Sequence, residues 1–145
     1  AVGEVNVVEK MKEVDAVIGG EGTGGVIYPE LHYGRDALVG VGLFLTYLCE
    51  QKCTCSELKE NLPTYYMSKN KIELEPTTDV DAILNKIADK YKNERVTTID
   101  GVKIDFEDGW VHLRKSNTEP IIRIYSEGKT EEEAERFAKL IIDSI

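Results

Sequence analysis

The sequence predicts an α+β protein whose second half is a small antiparallel sheet with two helices packed on one face. Three observations carry that expectation. Between residues 66 and 142 the apolar period switches in the order β-α-β-β-β-β-α. The dipeptides Asp100-Gly101 and Asp108-Gly109 stand between short alternating runs, where tight hairpin turns belong. Thr130, followed three positions later by Glu133, opens a strongly amphipathic stretch with the spacing of a capping box.

Taken in order, Val5, Val7, Val8, Met11 and Val14 recur mostly at helical spacing and predict a short amphipathic helix. Ala16-Val17-Ile18 is a brief apolar run stopped by Gly19-Gly20, the pattern of a buried strand ending in a loop. Five of the seven residues 19–25 are glycine, a backbone suited to close approach and unusual dihedrals. Val26-Ile27-Tyr28 reads as a strand before Pro29, and His32-Tyr33-Gly34-Arg35 as a turn. Arg35 or Asp36 then opens a helix running to about Gln51, with Leu38, Val41, Leu45 and Leu48 on one face. That stretch is too short and too interrupted for the ~20 apolar residues of a membrane span, so it is expected to be a buried helix. Thr54 and Glu57 form a first capping box ahead of a short helix over 55–61, and Pro63 ends it. The domain boundary is placed there: residues 1–53, a hinge at 54–64, and a second domain at 65–145.

Within the second domain, residues 66–74 alternate as a strand through Ile72 and Leu74. Asp79 caps a helix whose apolar side holds Val80, Ile83, Leu84, Ile87, Ala88 and Tyr91. Strand candidates follow at 96–104, broken by Asp100-Gly101, then at 110–114 and 121–126. Ala134, Phe137, Ala138, Ile141 and Ile142 give the last helix its buried stripe.

Composition narrows the function classes. An apolar share of 41% and a charged share of 31% suit a globular fold, and 145 residues can bury a proper core. A net charge of −9 argues against nucleic acid as the main partner, because phosphate backbones reward clustered Lys and Arg. A small anion needs only a local nest of donors, so an acidic chain can still bind one. No basic region precedes an apolar stretch at the start, where Glu4 arrives early, so no signal peptide is expected. The missing initial Met and an opening that reads like the middle of a domain suggest a piece of a longer, cytoplasmic polypeptide. Cys49, Cys53 and Cys55 lack a fourth ligand at zinc spacing, and neither His32 nor His112 supplies it. They read as reduced thiols near a helix end.

The stretch between the strands at 110–114 and 121–126 is far too polar for a mere spacer. Arg114 offers a planar fork of donors that matches phosphate oxygens. Ser116, Asn117 and Thr118 add hydroxyl and amide donors, and successive backbone N–H groups in such a turn can form an anion nest. Arg123, near the start of the next strand, could reach back to the same anion. Ser, Asn and Thr are equally common in solvated turns, so composition alone leaves an anion site and a plain hairpin loop both open.

The string Arg114-Lys115-Ser116-Asn117-Thr118-Glu119-Pro120 closely resembles the phosphate-binding signature of the α-D-phosphohexomutase family, which includes phosphoglucomutase/phosphomannomutase and phosphoglucosamine mutase. Gly20-Glu21-Gly22-Thr23-Gly24-Gly25 resembles the sugar-recognition loop of that family's third domain. By this resemblance Arg114, Ser116, Asn117, Thr118 and Arg123 hold the substrate phosphate, while Glu21 and Thr23 hold sugar hydroxyls. One departure stands out: some members carry His where this chain has Gly25, so any proton-transfer role there falls to another residue. His32, nearby in sequence, reads better as a loop or packing residue.

The resemblance makes residues 1–53 the α/β end of the third mutase domain and 65–145 the fourth, with a four-stranded antiparallel sheet and two helices. It implies interconversion of hexose 1-phosphate and hexose 6-phosphate through a phosphoserine enzyme and a bisphosphosugar. It also implies Mg2+ in the full-length enzyme, with ligands outside this chain. Neither a phosphoserine loop nor an Asp-rich magnesium loop is recognisable here, and Thr78-Asp79-Val80-Asp81 reads as a helix start. The chain is therefore expected to hold a phosphosugar, to need the remaining mutase domains, and to contain no catalytic residue or metal site of its own. It is expected to bind neither nucleic acid nor membrane. A stand-alone phosphosugar- or anion-binding module remains the alternative, as does an interaction domain using the acidic surface.

Overall fold

The computed structural model describes residues 2–75, 77–116 and 119–145. The chain divides into two compact units, residues 1–63 and 64–145.

The first unit runs α1 (Glu4–Val14), β1 (Gly19–Gly20), β2 (Val26–Tyr28), β3 (His32–Arg35), α2 (Ala37–Gln51) and α3 (Cys55–Glu60). Its three strands form an antiparallel sheet in the order β1-β2-β3, with Gly20 opposite Val26 and Ile27 opposite Arg35. Met11 is the buried residue of α1, and its side chain fills the space a Cβ at Gly19 would need. Caps follow their spacing. Asp36 Oδ1 accepts from the Val39 N–H at 3.0 Å, and Thr54 and Glu57 complete a reciprocal capping box.

Three expectations for this unit are corrected. Residues 32–35 are a strand, not a turn, because a register shift between Ile27 and Tyr28 lets β3 pair with β2. Val17 and Ile18 are exposed, and the strand begins only at Gly19. Helix α2 forms at the expected place but buries none of its residues; Leu38 is 84% exposed and Val41 56%. Within its own unit α2 meets β2 at Gly40, where an added Cβ would stand 3.1 Å from Val26 Cγ2. Leu38, Val41, Phe44 and Leu45 of α2 are exposed, while Val39 and Leu48 are half-buried.

The second unit runs β4 (Tyr66–Glu73), α4 (Val80–Lys90), β5 (Arg95–Thr97), β6 (Val102–Asp105), β7 (Trp110–Lys115), β8 (Ile121–Gly128) and α5 (Glu131–Ile142). All neighbours pair antiparallel in the order β4-β8-β7-β6-β5. The sheet thus has five strands, one more than the family resemblance implied. The extra strand is the three-residue β5, which folds back on β6 because Gly101 takes φ 73 in the intervening turn.

Strand alternation sorts side chains onto two faces. Val102, Ile104, Val111, Leu113, Ile122 and Ile124 point to one, where Leu84 and Ile87 of α4 and Ala138 and Ile141 of α5 close a single core. Each fully buried Ile or Leu in it contributes about 1.5–3 kcal/mol. Ser126 is also fully buried there, its hydroxyl donating to the Ala134 carbonyl at 2.6 Å and tying β8 to α5. The last capping box is modified. Thr130 accepts from the Glu133 N–H, but Glu133 reaches the Lys129 N–H, one residue ahead of the cap. With both helices on one face, the other face of the sheet carries the polar side chains.

Candidate functional site

The polar loop between β7 and β8 is anchored at its base. Arg114 stands directly opposite Arg123, and Lys115 opposite Ile122. The Ser116 N–H donates to the Ile121 carbonyl at 3.0 Å, and the Ile121 N–H to the Glu119 carbonyl at 2.8 Å. The Leu74 N–H donates to the Pro120 carbonyl at 2.9 Å, fixing the far side. Two backbone donors are therefore engaged in the loop's own closure. Asn117 and Thr118 lie outside the described residues.

Alternation puts Arg114 and Arg123 on the helix-free face, one strand apart. Each guanidinium already has a carboxylate neighbour. Arg114 Nε lies 3.3 Å from Asp100 Oδ1, and Arg123 Nη2 3.5 Å from Glu119 Oε2. The Asp100 contact at Nε steadies the Arg114 guanidinium. His112, two residues before Arg114, donates from Nε2 to the Asp100 carbonyl at 2.6 Å and holds the same turn. A cavity of about 280 Å³ opens beside Arg114, lined among others by Asp81, Asn85, Asp100 and Lys115. Lys115 points away from Arg114 along the chain and pairs with both Asp81 oxygens, at 3.1 and 3.0 Å.

Sequence reasoning singled out Arg114 and Arg123 but treated Asp100 only as a turn residue. Its contact with Arg114 follows from the β5–β6 turn lying against the end of β7, which the Asp-Gly dipeptide alone does not disclose. Nothing in the sequence around Lys71 marks it for the site either. It sits on β4 directly opposite Arg123, a neighbour created by the pairing of the first strand with the last.

In the other unit, Glu21 and Thr23 share the tip of the β1–β2 hairpin. The Glu21 N–H donates to the Gly25 carbonyl at 3.2 Å, the Gly24 N–H to the Glu21 carbonyl at 3.0 Å, and Gly24 takes φ 91. Glu21 is half-buried, and its Oε1 accepts from the Gly3 N–H at 2.9 Å, which orients the carboxylate; Thr23 is exposed. At Gly25, a Cβ would come within 2.7 Å of Arg35 Cδ. A side chain there, His included, would need Arg35 to move, and Arg35 is held by Glu4 through an ion pair of 2.8 Å and a backbone bond of 3.2 Å. His32 stays within its own segment. Its Nδ1 accepts from the Gly34 N–H at 3.0 Å, and its Nε2 lies 3.2 Å from Asp36 Oδ2.

Among the described residues no group of three or more His, Cys, Asp or Glu side chains could hold a metal ion, and no helix is long and apolar enough to cross a membrane.

Comparison with known proteins adds to this geometry. Residues 69–144 match the phosphoglucomutase/phosphomannomutase C-terminal domain, and residues 1–66 match alpha/beta/alpha domain III of the same proteins. A phosphoglucomutase/phosphomannomutase of Thermococcus kodakarensis is 41% identical over 141 residues, covering 96% of this chain and 30% of the relative. A phosphoglucosamine/phosphogalactosamine mutase of Sulfurisphaera tokodaii is 42% identical over 132 residues, covering 90% of this chain and 29% of the relative. The chain thus spans less than a third of the length of these relatives. A crystal structure of a phosphoglucomutase/phosphomannomutase family protein from Burkholderia thailandensis superposes with a TM-score of 0.71, at 23% identity, over 99% of this chain and 31% of that one. That last likeness concerns the fold. A two-unit α+β chain, matched along nearly its whole length by the third and fourth domains of one set of mutases, belongs to the phosphoglucomutase/phosphomannomutase family.

Proposed function

We propose that this chain is the substrate-holding C-terminal part of a phosphohexomutase that interconverts hexose 1-phosphate and hexose 6-phosphate. The observation that carries the reading is the direct opposition of Arg114 and Arg123 on the helix-free face, at the mouth of a Ser-Asn-Thr loop. Two guanidinium groups one strand apart repel, a repulsion that Asp100 and Glu119 relieve in part and that a bound anion would relieve further. A phosphate monoester is such an anion, and its oxygens accept paired donors. Arg114, Ser116, Asn117, Thr118 and Arg123 are assigned to that phosphate, and Glu21 and Thr23 to sugar hydroxyls. The Gly3 contact takes one Glu21 oxygen and leaves the carboxylate a second acceptor for a hydroxyl.

In the mechanism this implies, the phosphoryl group passes through a phosphoserine enzyme and a bisphosphosugar that reverses within the site. A phosphate's oxygens are nearly equivalent, so one set of donors can hold either end of the sugar. The chain's contribution is then positioning and charge stabilisation, which dominate phosphoryl transfer. The reacting serine and the ligands of Mg2+ are assigned to the remaining domains, as the family resemblance implies. The bare apolar surface of α2 supports the need for those domains over the alternative of a self-sufficient binding module. A cytoplasmic setting fits three free cysteines. Glucose, mannose and glucosamine phosphates differ at C2, and coupled assays of the full-length enzyme with each of them decide the hexose.

The test is Arg114→Ala in the full-length polypeptide. Losing a charge-assisted contact of about 2 kcal/mol should raise KM for the sugar phosphate roughly 30-fold while the circular dichroism spectrum is kept. An unchanged KM and kcat would overturn the assignment.

A further inference from the structure

Like charges placed directly opposite each other destabilise a sheet, yet β4, β8 and β7 align three of them in one row. Lys71 pairs with Arg123, and Arg123 with Arg114, all on the helix-free face. Adjacent strands lie about 4.8 Å apart, so the row spans about 10 Å with Arg123 at its centre. An anion seated over Arg123 would be flanked by Arg114 on one side and by Lys71 on the other.

In the neighbouring rows no two Lys or Arg side chains stand directly opposite each other. The next row across the sheet is Lys69, Tyr125, His112, Lys103 and Thr97, and the one after it Met67, Glu127, Trp110, Asp105 and Arg95. In the last, Glu127 accepts from Trp110 Nε1 at 3.0 Å, and Asp105 pairs with Lys103. Among these rows, Lys and Arg side chains directly opposite one another therefore occur only in the row nearest the polar loop. The three cations each meet one carboxylate at the rim: Lys71 with Glu73 at 3.0 Å, Arg123 with Glu119 and Arg114 with Asp100. The Lys71 and Glu73 side chains are 62% and 78% exposed, so solvent screens this pair and a dianion can displace it.

We propose that Lys71 is a further phosphate-contacting residue, the third cation of the site, which takes a sugar phosphate monoester together with Arg123 and Arg114. The proposal rests on the reading of Arg114 and Arg123 as phosphate binders. Lys71 also lies on an edge strand, where lysines deter pairing with other chains. A lysine serving only that end would leave phosphate affinity unmoved, and Lys69, on the same strand and face, serves as the comparison.

The experiment titrates inorganic phosphate and glucose 1-phosphate into the 145-residue chain, followed by backbone amide shifts, for the parent and four variants. Lys71→Ala should weaken binding roughly three- to tenfold and flatten its dependence on ionic strength. Lys71→Arg should restore most of the affinity, and Lys69→Ala should behave as the parent. If Lys71→Ala binds as the parent does while Arg114→Ala loses affinity, the third cation is overturned and the site stands. If Arg114→Ala also binds as the parent does, the phosphate reading of the site fails and the role of Lys71 fails with it.

Discussion

Gly101 shows how one backbone position supports Arg114. Its φ of 73 is open to glycine, and a Cβ there would overlap the Leu113 carbonyl oxygen. The turn it permits brings Asp100 onto Arg114 Nε and the Asp100 carbonyl onto His112. Gly101→Ala is expected to cost about 1–3 kcal/mol. Thermal denaturation would show a lower Tm, and hydrogen exchange would show weaker protection across β5 and β6. A variant as stable as the parent would contradict the strain. At this scale the sequence was informative about identity and poor about neighbourhood. Arg114 and Arg123 could be picked out because a fork of donors beside a Ser-Asn-Thr loop has a chemical meaning. Asp100 and Lys71 could not, since each meets those arginines through strand pairing and not through closeness in the chain.

Among the elements, the helix starts were the most legible, because a cap is a local hydrogen bond between residues three apart. Thr54, Asp79 and Thr130 cap where the sequence puts them, and of the two candidate starts for α2 it is Asp36 that caps. The caps carry a pH dependence. The Asp36 carboxyl is held below the ordinary range chiefly by the Val39 N–H, and that of Glu57 chiefly by the Thr54 N–H, with the Thr54 hydroxyl adding to it. A pKa lowered in the folded state adds stability above the unfolded value and loses it as pH falls through the folded one. Helicity of α2 and α3 should therefore be constant above about pH 5 and decline as acid protonates these groups. Backbone amide shifts of residues 37–60 would follow it, and Asp36→Asn with Glu57→Gln should remove most of the decline. An equal decline in the double variant would refute this origin. Strands were less legible than caps. Residues 32–35 look like a turn by composition and pair as β3 only because β2 is there to receive them.

For the whole molecule, the decisive contrast is between the two units. Residues 64–145 close a core between one sheet face and two helices, whereas α2 in residues 1–63 carries Leu38, Val41, Phe44 and Leu45 to the surface. The chain spans less than a third of its mutase relatives. On the proposed function, the isolated chain should bind a phosphosugar yet show no turnover of glucose 1-phosphate in a coupled assay. Measurable turnover would contradict the assignment of the reacting groups to other domains. The sequence by itself determined the α+β class, the caps at Thr54, Asp79 and Thr130, and the family to which the phosphate loop points. These follow from local hydrogen bonding, from apolar period and from an ordered string of donors. Only the tertiary structure decided in which order the strands pair, that α2 buries none of its residues, and that Lys71, Arg123 and Arg114 stand in one row. Each of those depends on which distant segments pair, and pairing is set by packing over the whole core rather than by any short stretch of the chain.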